Sequence, residues 1–416
     1  MRLPRTVIAL GVVSLLTDAS SEMIYPLLPL FLSSALGAGP LAIGAIEGAA
    51  ESVASLLKLA SGWWSDRLPR RKPLVVVGYG LASVVRPLIG LTQSVGQVLV
   101  IRLIDRAGKG IRGAPRDALI ADAVDPSQRG RAYGFHRAAD HAGAVAGPLI
   151  AAALLGWGGL SLRTVFLLAA VPAAAAMIAL IFGVRESRRA IETGKAPNLA
   201  MRGLDRRFWA YLAVLLVFTL GNSTDALLLL RANELGVSAA LIPILWAGLH
   251  VVKSLSSTPG GILSDKFGRR PLIIGGWLVY GAVYLGFAAA SGTWHAWALF
   301  LVYGLYFGMT EGVDKALVAD LVPTGVRGAA FGWYNLTIGL AALPASLIFG
   351  GLWQSFGAPV AFVTGAGLAL VASLGLWFVT RESGIGNRES GIDLWLLASG
   401  FWLLFLASGL RPWTWT

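Results

Sequence analysis

Two carboxylates, Asp18 and Glu22, stand one helical turn apart in the stretch TDASSEMIYPLLP (17–29). The apolar runs VIALGVVSLL and LFLSSALG flank it. A charged side chain at the centre of a bilayer costs about 2.5–3.5 kcal/mol even on the lenient insertion scale. Residues four apart share a helix face, so this face is expected to line a polar interior. A carboxylate held there is neutral in one protonation state and charged in the other, which suits it to carrying protons.

Further charges recur inside apolar runs. Glu47, Glu51 and Lys58 project within roughly 40° of each other at 100° per residue. In RLIDRAGKGIRGAPRD (102–117), Arg102, Asp105, Arg106, Lys109, Arg112, Arg116 and Asp117 fall within an arc of roughly 140°. His136, Arg137, Asp140 and His141 follow, then Asp225, Arg231, His250, Lys253, Glu311, Asp314 and Lys315. One reading is that acids of the first two runs simply neutralise bases of the fourth. Buried pairs add little net stability because desolvation offsets attraction. Intramembrane ionisable groups mark ion or substrate pathways by default, so at least one of Asp18, Glu22, Glu47 and Glu51 is expected to couple transport to protons. Arg112, Arg116, Asp117, Asp225 and Glu311 complete the expected cavity set. Within it Arg112 is expected to face the substrate and Arg116 to pair with a neighbouring acid. His136 and Asp140 share a face, but His141 points elsewhere and no ligand-rich cluster accompanies them, so no metal site is expected. No nucleophile–base pair or P-loop is present in the sequence. No catalytic residues, cofactor or ATP hydrolysis are expected, and the chain does not read as an enzyme.

These residues need long apolar elements to hold them. Charged residues make up 13% of the chain, about half of what a soluble domain carries. Apolar segments long enough to cross about 30 Å of hydrocarbon as helices recur throughout. Twelve spans are expected, near 6–34, 41–65, 73–92, 96–124, 131–155, 160–184, 207–231, 239–264, 271–291, 294–321, 326–352 and 357–380. The run after Arg2 and Arg5 continues past Tyr25 without a small-x-small site, so it reads as an uncleaved first span. Alternate loops are basic, including DRLPRRK (66–72), PSQRGR (126–131) and DKFGRR (265–270). By the positive-inside rule both termini are expected in the cytoplasm if the tail does not span, with the chain in the inner or plasma membrane. The net charge of +12 sits in these loops, which argues for topology and against nucleic acid. The absence of cysteine excludes disulfides. The expected partners are a small-molecule substrate, protons and the lipid bilayer, with the chain a monomer.

The polar stretch 185–206 separates two six-helix units, 1–184 and 207–380. The tail 381–416 carries the direct repeat in RESGIGNRESGI and then LWLLASGFWLLFLASGL (394–410). That run is marginal for a span by length; a thirteenth helix, an interfacial helix and an appended extension all remain open.

The two units repeat each other. GWWSDRLPRR (62–71) matches GILSDKFGRR (261–270), and ALIADAVDPSQRGRAYG (118–134) matches ALVADLVPTGVRGAAFG (316–332). VRES closes span six and TRES closes span twelve. Like-oriented repeats related by an axis along the membrane normal are a known transporter plan, with the substrate site between the halves. The duplicated loop G-x-x-x-D-R-x-x-R-R resembles the signature of the major facilitator superfamily. Pro69 departs from the usual Gly, which Gly268 keeps. GAVAGPLIAA (143–152) resembles the motif of proton-linked exporters at Gly143, Gly147 and Pro148, with Ala151 and Ala152 replacing its last glycines. EMIYPLLP (22–29) resembles the D-x-x-x-P-x-x-P pattern of drug–proton antiporters, with Glu22 in place of Asp.

The resemblance implies an all-α major facilitator fold of two six-helix bundles. It implies alternating access, driven by protons and directed to efflux of small organic molecules. It also implies that Gly62, Asp66, Arg67, Arg70 and Arg71, with Gly261, Asp265, Arg269 and Arg270, form gating loops that hold one conformation and release another. Import by proton symport of a small polar or anionic solute uses the same carboxylates. A non-transporting receptor or scaffold on this fold is the alternative from another class.

Overall fold

A computed structural model describes residues 3–66, 68–124, 129–186, 204–323 and 327–381. The expected linker (mostly 187–203), Arg67, and the tail beyond 381 lie outside the described residues.

Among the described residues, twelve helical rods follow the expected spans. In the first half they are α1 (Arg5–Leu36), α2 (Pro40–Asp66), α3 (Lys72–Leu91), α4 (Val95–Asp122), α5 (Arg129–Gly156) and α6 (Leu162–Gly183). In the second half they are α7 (Arg206–Glu234), α8 (Ile242–Phe267), α9 (Arg269–Ala289), α10 (Thr293–Asp320), α11 (Arg327–Phe356) and α12 (Ala358–Arg381). Ten of the twelve contain stretches apolar and long enough to cross a membrane by composition alone. The exceptions are α4, which carries the charge stripe, and α8.

Packing repeats between the halves as the sequence does. In the first half α1 packs on α5, α2 on α4 and α3 on α4; in the second α7 packs on α11, α8 on α10 and α9 on α10. Across the halves α2 meets α11 and α5 meets α8, two seams that a two-fold exchange of the halves interconverts. This is the major facilitator arrangement.

Local chemistry sets the breaks. In α1 the helix tightens to a 3₁₀ turn at Tyr25–Leu27, where Pro26 removes a backbone donor. In α7 the helix stops at Gly221 and restarts at Asp225, with the Thr224 side chain capping the restart. Tyr25 and Thr224 occupy equivalent places in the repeat, so the lead helix of each half is interrupted at the same depth. The Pro69 departure also has a structural counterpart. Gly268, at φ 95°, alone separates α8 from α9. Proline cannot reach positive φ, and the equivalent connection between α2 and α3 spans residues 67–71 instead.

Candidate functional site

The α1–α5 contact fixes the two carboxylates that open the sequence. A Cβ on Gly143 would lie 2.3 Å from the Leu15 carbonyl oxygen, and one on Gly147 would lie 2.4 Å from that of Ala19. The exporter-type glycines therefore let α5 lie directly on the α1 backbone around Asp18. Pro148 lies buried inside the continuous helix α5.

Both carboxylates are half-buried. Glu22 accepts a 2.7 Å hydrogen bond from Trp246 Nε1 of α8, so this bond joins the two halves. The Trp246 ring also sits 5.3 Å from the Tyr25 ring, centroid to centroid. The guanidinium groups of Arg102 and Arg106 lie 5.8 and 5.9 Å from the Tyr25 ring centroid. The charges of Lys109, Arg106 and Arg86 act on Glu22; those of Asp140, Arg112 and Lys109 act on Asp18.

Glu47 belongs to a different environment. Its two oxygens accept from Arg102 Nε and Nη2 at 2.7 and 2.5 Å, with the pair 4–5% exposed. Arg102 also reaches Asp105 at 3.2 Å, and Asp105 accepts from Arg86 at 2.8 and 3.0 Å. For Glu47, then, the neutralising reading describes the geometry: it is a member of a buried ionic cluster that also touches Arg106, at 4.0 Å from Glu47, and α1, through Arg86 and the Thr17 carbonyl. Glu51, one turn on, is exposed to the interior, and the charges of Arg106, Lys109, Arg102 and Lys58 act on it.

In span four, Arg112, expected to face the substrate, packs within the first half in this structure. It is 5% exposed, its guanidinium lies 4.2 Å from the Tyr79 ring of α3, and its Cβ side packs on Gly78. The glycine at 78 opens a slot inside the first bundle, and the side chain occupies it. Arg116 has an acid partner, but on its own helix: it bonds Asp117 at 2.8 and 3.0 Å. Asp117 is half exposed near the basic-loop end.

The second half holds its acids differently. Asp225, at the restart of α7, accepts from Tyr303 at 2.8 Å. Asp314, buried, accepts from Tyr211 at 3.3 Å. Tyr280, Tyr284, Tyr303, Tyr306, Phe218 and Trp277 pack around them with neighbouring ring centroids 4.1–6.1 Å apart. Glu311 faces the first half: it accepts from Arg137 at 2.9 Å and lies 3.0 Å from Lys253 Nζ.

Several of the described loop charges bond to groups of their own half. Arg71 pairs with Asp122, and the Glu186 carboxylate accepts from the backbone N–H groups of Arg71 and Lys72 at 2.7 and 2.8 Å, capping α3. In the second copy Arg269 pairs with Asp265 and, at 3.4 Å, with Asp320, the repeat equivalent of Asp122. Arg270 donates to the Trp377 carbonyl at 2.7 Å. Arg70 is exposed. The side chain of Asp66 and the surroundings of Gly62 lie outside the described residues, as does Arg67. At the second copy of the loop motif the close helix approach falls one residue before the motif glycine Gly261. Nothing lies within 4 Å of a Cβ there, whereas one on Gly260 would meet the Gly308 carbonyl oxygen at 2.0 Å. One residue is a 100° turn, so Gly260 faces α10 and Gly261 does not. No group of three potential metal ligands occurs among the described residues.

Arg86, Trp246 and the tyrosine group were not singled out from the sequence. Arg86 had a signal: it is the lone charge in the run VVVGYGLASVVRPLIGL. Trp246 and the tyrosines had none, because aromatic residues are ordinary in apolar spans.

Two six-helix halves enclosing a charged interior define a membrane transporter. The family model of the Major Facilitator Superfamily matches residues 10–249 and 211–416, and the chain belongs to that family. An uncharacterized MFS-type transporter of Methanocaldococcus jannaschii is 35% identical over 383 residues, which is 91% of this chain and 95% of the relative. The multidrug resistance protein MdtG of Salmonella paratyphi C is 25% identical, covering 88% of this chain and 93% of its own. The crystal structure of the nucleoside transporter NupG superposes with a TM-score of 0.73 at 13% identity, over 90% of this chain and 99% of that one, a likeness of fold.

Proposed function

We propose that the protein is a secondary active transporter that works by alternating access and exports small organic molecules in exchange for protons. It resides in the cytoplasmic membrane with both ends of the twelve-helix unit in the cytoplasm. The observation that carries this reading is the Glu22–Trp246 bond. A hydrogen bond to an ionised acceptor is worth about 1.5–3 kcal/mol, against 0.5–1.5 for a neutral one. Protonating Glu22 weakens a bond that ties one half to the other, so proton binding and separation of the halves are linked. The antiporter-like pattern around Glu22, the exporter-like glycines of α5 and the similarity to MdtG support export.

A second reading, symport of an anionic solute, is favoured by Arg106 and Lys109, which lie beside the same carboxylates. The direction of proton flux separates the two. Protein reconstituted in vesicles with a lumenal pH dye is offered ethidium, a zwitterionic quinolone or an aromatic dicarboxylate from outside, and uptake is followed with lumenal pH. Antiport alkalinises the lumen as protons leave against entering substrate. Symport acidifies it. Substrate uptake with no proton movement in either direction contradicts proton coupling altogether.

A further inference from the structure

The His136–Arg137–Asp140 group of α5 belongs to neither a metal site nor the Glu22 site. Asp140 is anchored inside the first half: Ser14 of α1 donates to it, and His136 Nδ1 lies 3.5 Å from its Oδ2. Arg137 stands between two carboxylates. Its Nη1 is 3.9 Å from Asp140 of its own helix, and its Nη2 is 2.9 Å from Glu311 in the other half. Glu311 is itself held at home by Lys253, 3.0 Å away, whose ammonium lies 4.2 Å from the Phe307 ring centroid. Both acids are thus fixed to their own bundles, and the Arg137 side chain, 56% exposed, is the member free to swing.

Depth gives this arrangement a function. Arg137 and Glu311 lie eight and nine residues from the basic-loop ends of α5 and α10, about 12–14 Å at 1.5 Å per residue. Trp246, the partner of Glu22, lies 21 residues from the same end of α8, about 30 Å. These two cross-half bonds, one from α1 to α8 and one from α5 to α10, therefore sit at different depths beside the α5–α8 seam. They also ride on stiff pairs of helices. Gly143 and Gly147 seat α5 on α1, while Gly260, Gly304 and Gly308 seat α8 on α10 with Cβ approaches of 2.0–2.8 Å.

We propose that Arg137 is an exchanged latch: Glu311 holds it when the basic-loop end is shut, and Asp140 takes it back when that end opens. This rests on alternating access, and not on proton carriage by Glu22. A failed Glu22 experiment leaves it standing, and its own failure leaves the Glu22 reading intact.

The chain has no cysteine, so spin labels can be placed at Trp64→Cys in α2 and Ile262→Cys in α8 without a background. Both positions are exposed near the basic-loop ends, 58% and 62%. Distance distributions between them in lipid nanodiscs report opening of that end. An ion pair this exposed is worth about 0.2–1 kcal/mol, so Arg137→Gln is expected to raise the long-to-short population ratio about 1.4- to 5-fold. Glu311→Gln should do the same, and the double variant should open no further than either single one. Asp140→Asn should move the ratio the other way, and that shift should vanish in the Arg137→Gln background. Additive opening in the Arg137→Gln, Glu311→Gln double variant overturns the proposal, as does opening by a folded Asp140→Asn. Should Asp140→Asn fail to fold, the additivity of the other two still decides.

Discussion

The two halves share a backbone plan and fill their interiors by opposite means. In the first half Glu47, Arg86, Arg102 and Asp105 pair with one another as a connected set of buried ions. In the second, Asp225 and Asp314 accept from tyrosine hydroxyls within packed aromatic rings. At equivalent repeat positions the first half carries Arg116 and Asp117 and the second carries Asp314 and Lys315, with the signs reversed. Duplication thus preserved helix packing while leaving the polar interior free to diverge. Charge is concentrated where Glu22, Glu51 and Lys109 meet the interior of the first half; the second half presents aromatic bulk and hydroxyls beside the Glu311–Lys253 pair.

This contrast can be broken by substitution, and the first half should be the more sensitive. Arg102→Met leaves Glu47 and Asp105 short of a partner, and breaking a buried pair costs about 3–5 kcal/mol. Melting in detergent should show this as the largest loss of the series, and adding Glu47→Gln should restore part of it. A variant as stable as the parent would mean that the cluster is solvated. Gly147→Val pushes α5 off the Ala19 backbone, and overpacking of this kind costs about 1–3 kcal/mol. Unchanged melting there would show that the α1–α5 seam is loose. Tyr280→Phe removes a 2.8 Å bond to the Gly221 carbonyl at the α7 break, worth about 0.5–1.5 kcal/mol. A loss rivalling that of Arg102→Met would erase the distinction between the halves.

Helix number and order were legible because each span must bury its backbone bonds in an apolar segment, and the basic loops punctuate them. Even α4, too charged for a hydropathy criterion, was legible from its one-sided stripe. The duplicated loop and the α5 glycines were legible as motifs, since close helix approach demands small residues at fixed spacing. What each charge touches was not. Helical periodicity placed Arg112 and Arg116 on one side of α4, yet Arg112 enters a slot opened by Gly78 and Arg116 turns to its neighbour Asp117. Partners such as Arg86 for Asp105 and Trp246 for Glu22 come from other helices, so no local spacing announces them. Gly260 and Gly261 differ by one residue, and only the rotation of α8 tells which one meets α10.

The most direct measurement sets Glu22→Gln against the parent in reconstituted vesicles, using whichever probe moves protons in the parent. Gln keeps the size of the side chain and an acceptor for Trp246 but cannot take up a proton. Two rates are compared: uptake driven by an imposed pH gradient, and exchange of labelled for unlabelled substrate without one. Loss of gradient-driven uptake with exchange retained is the expected result. Gradient-driven uptake at the parent's rate would contradict proton coupling through Glu22.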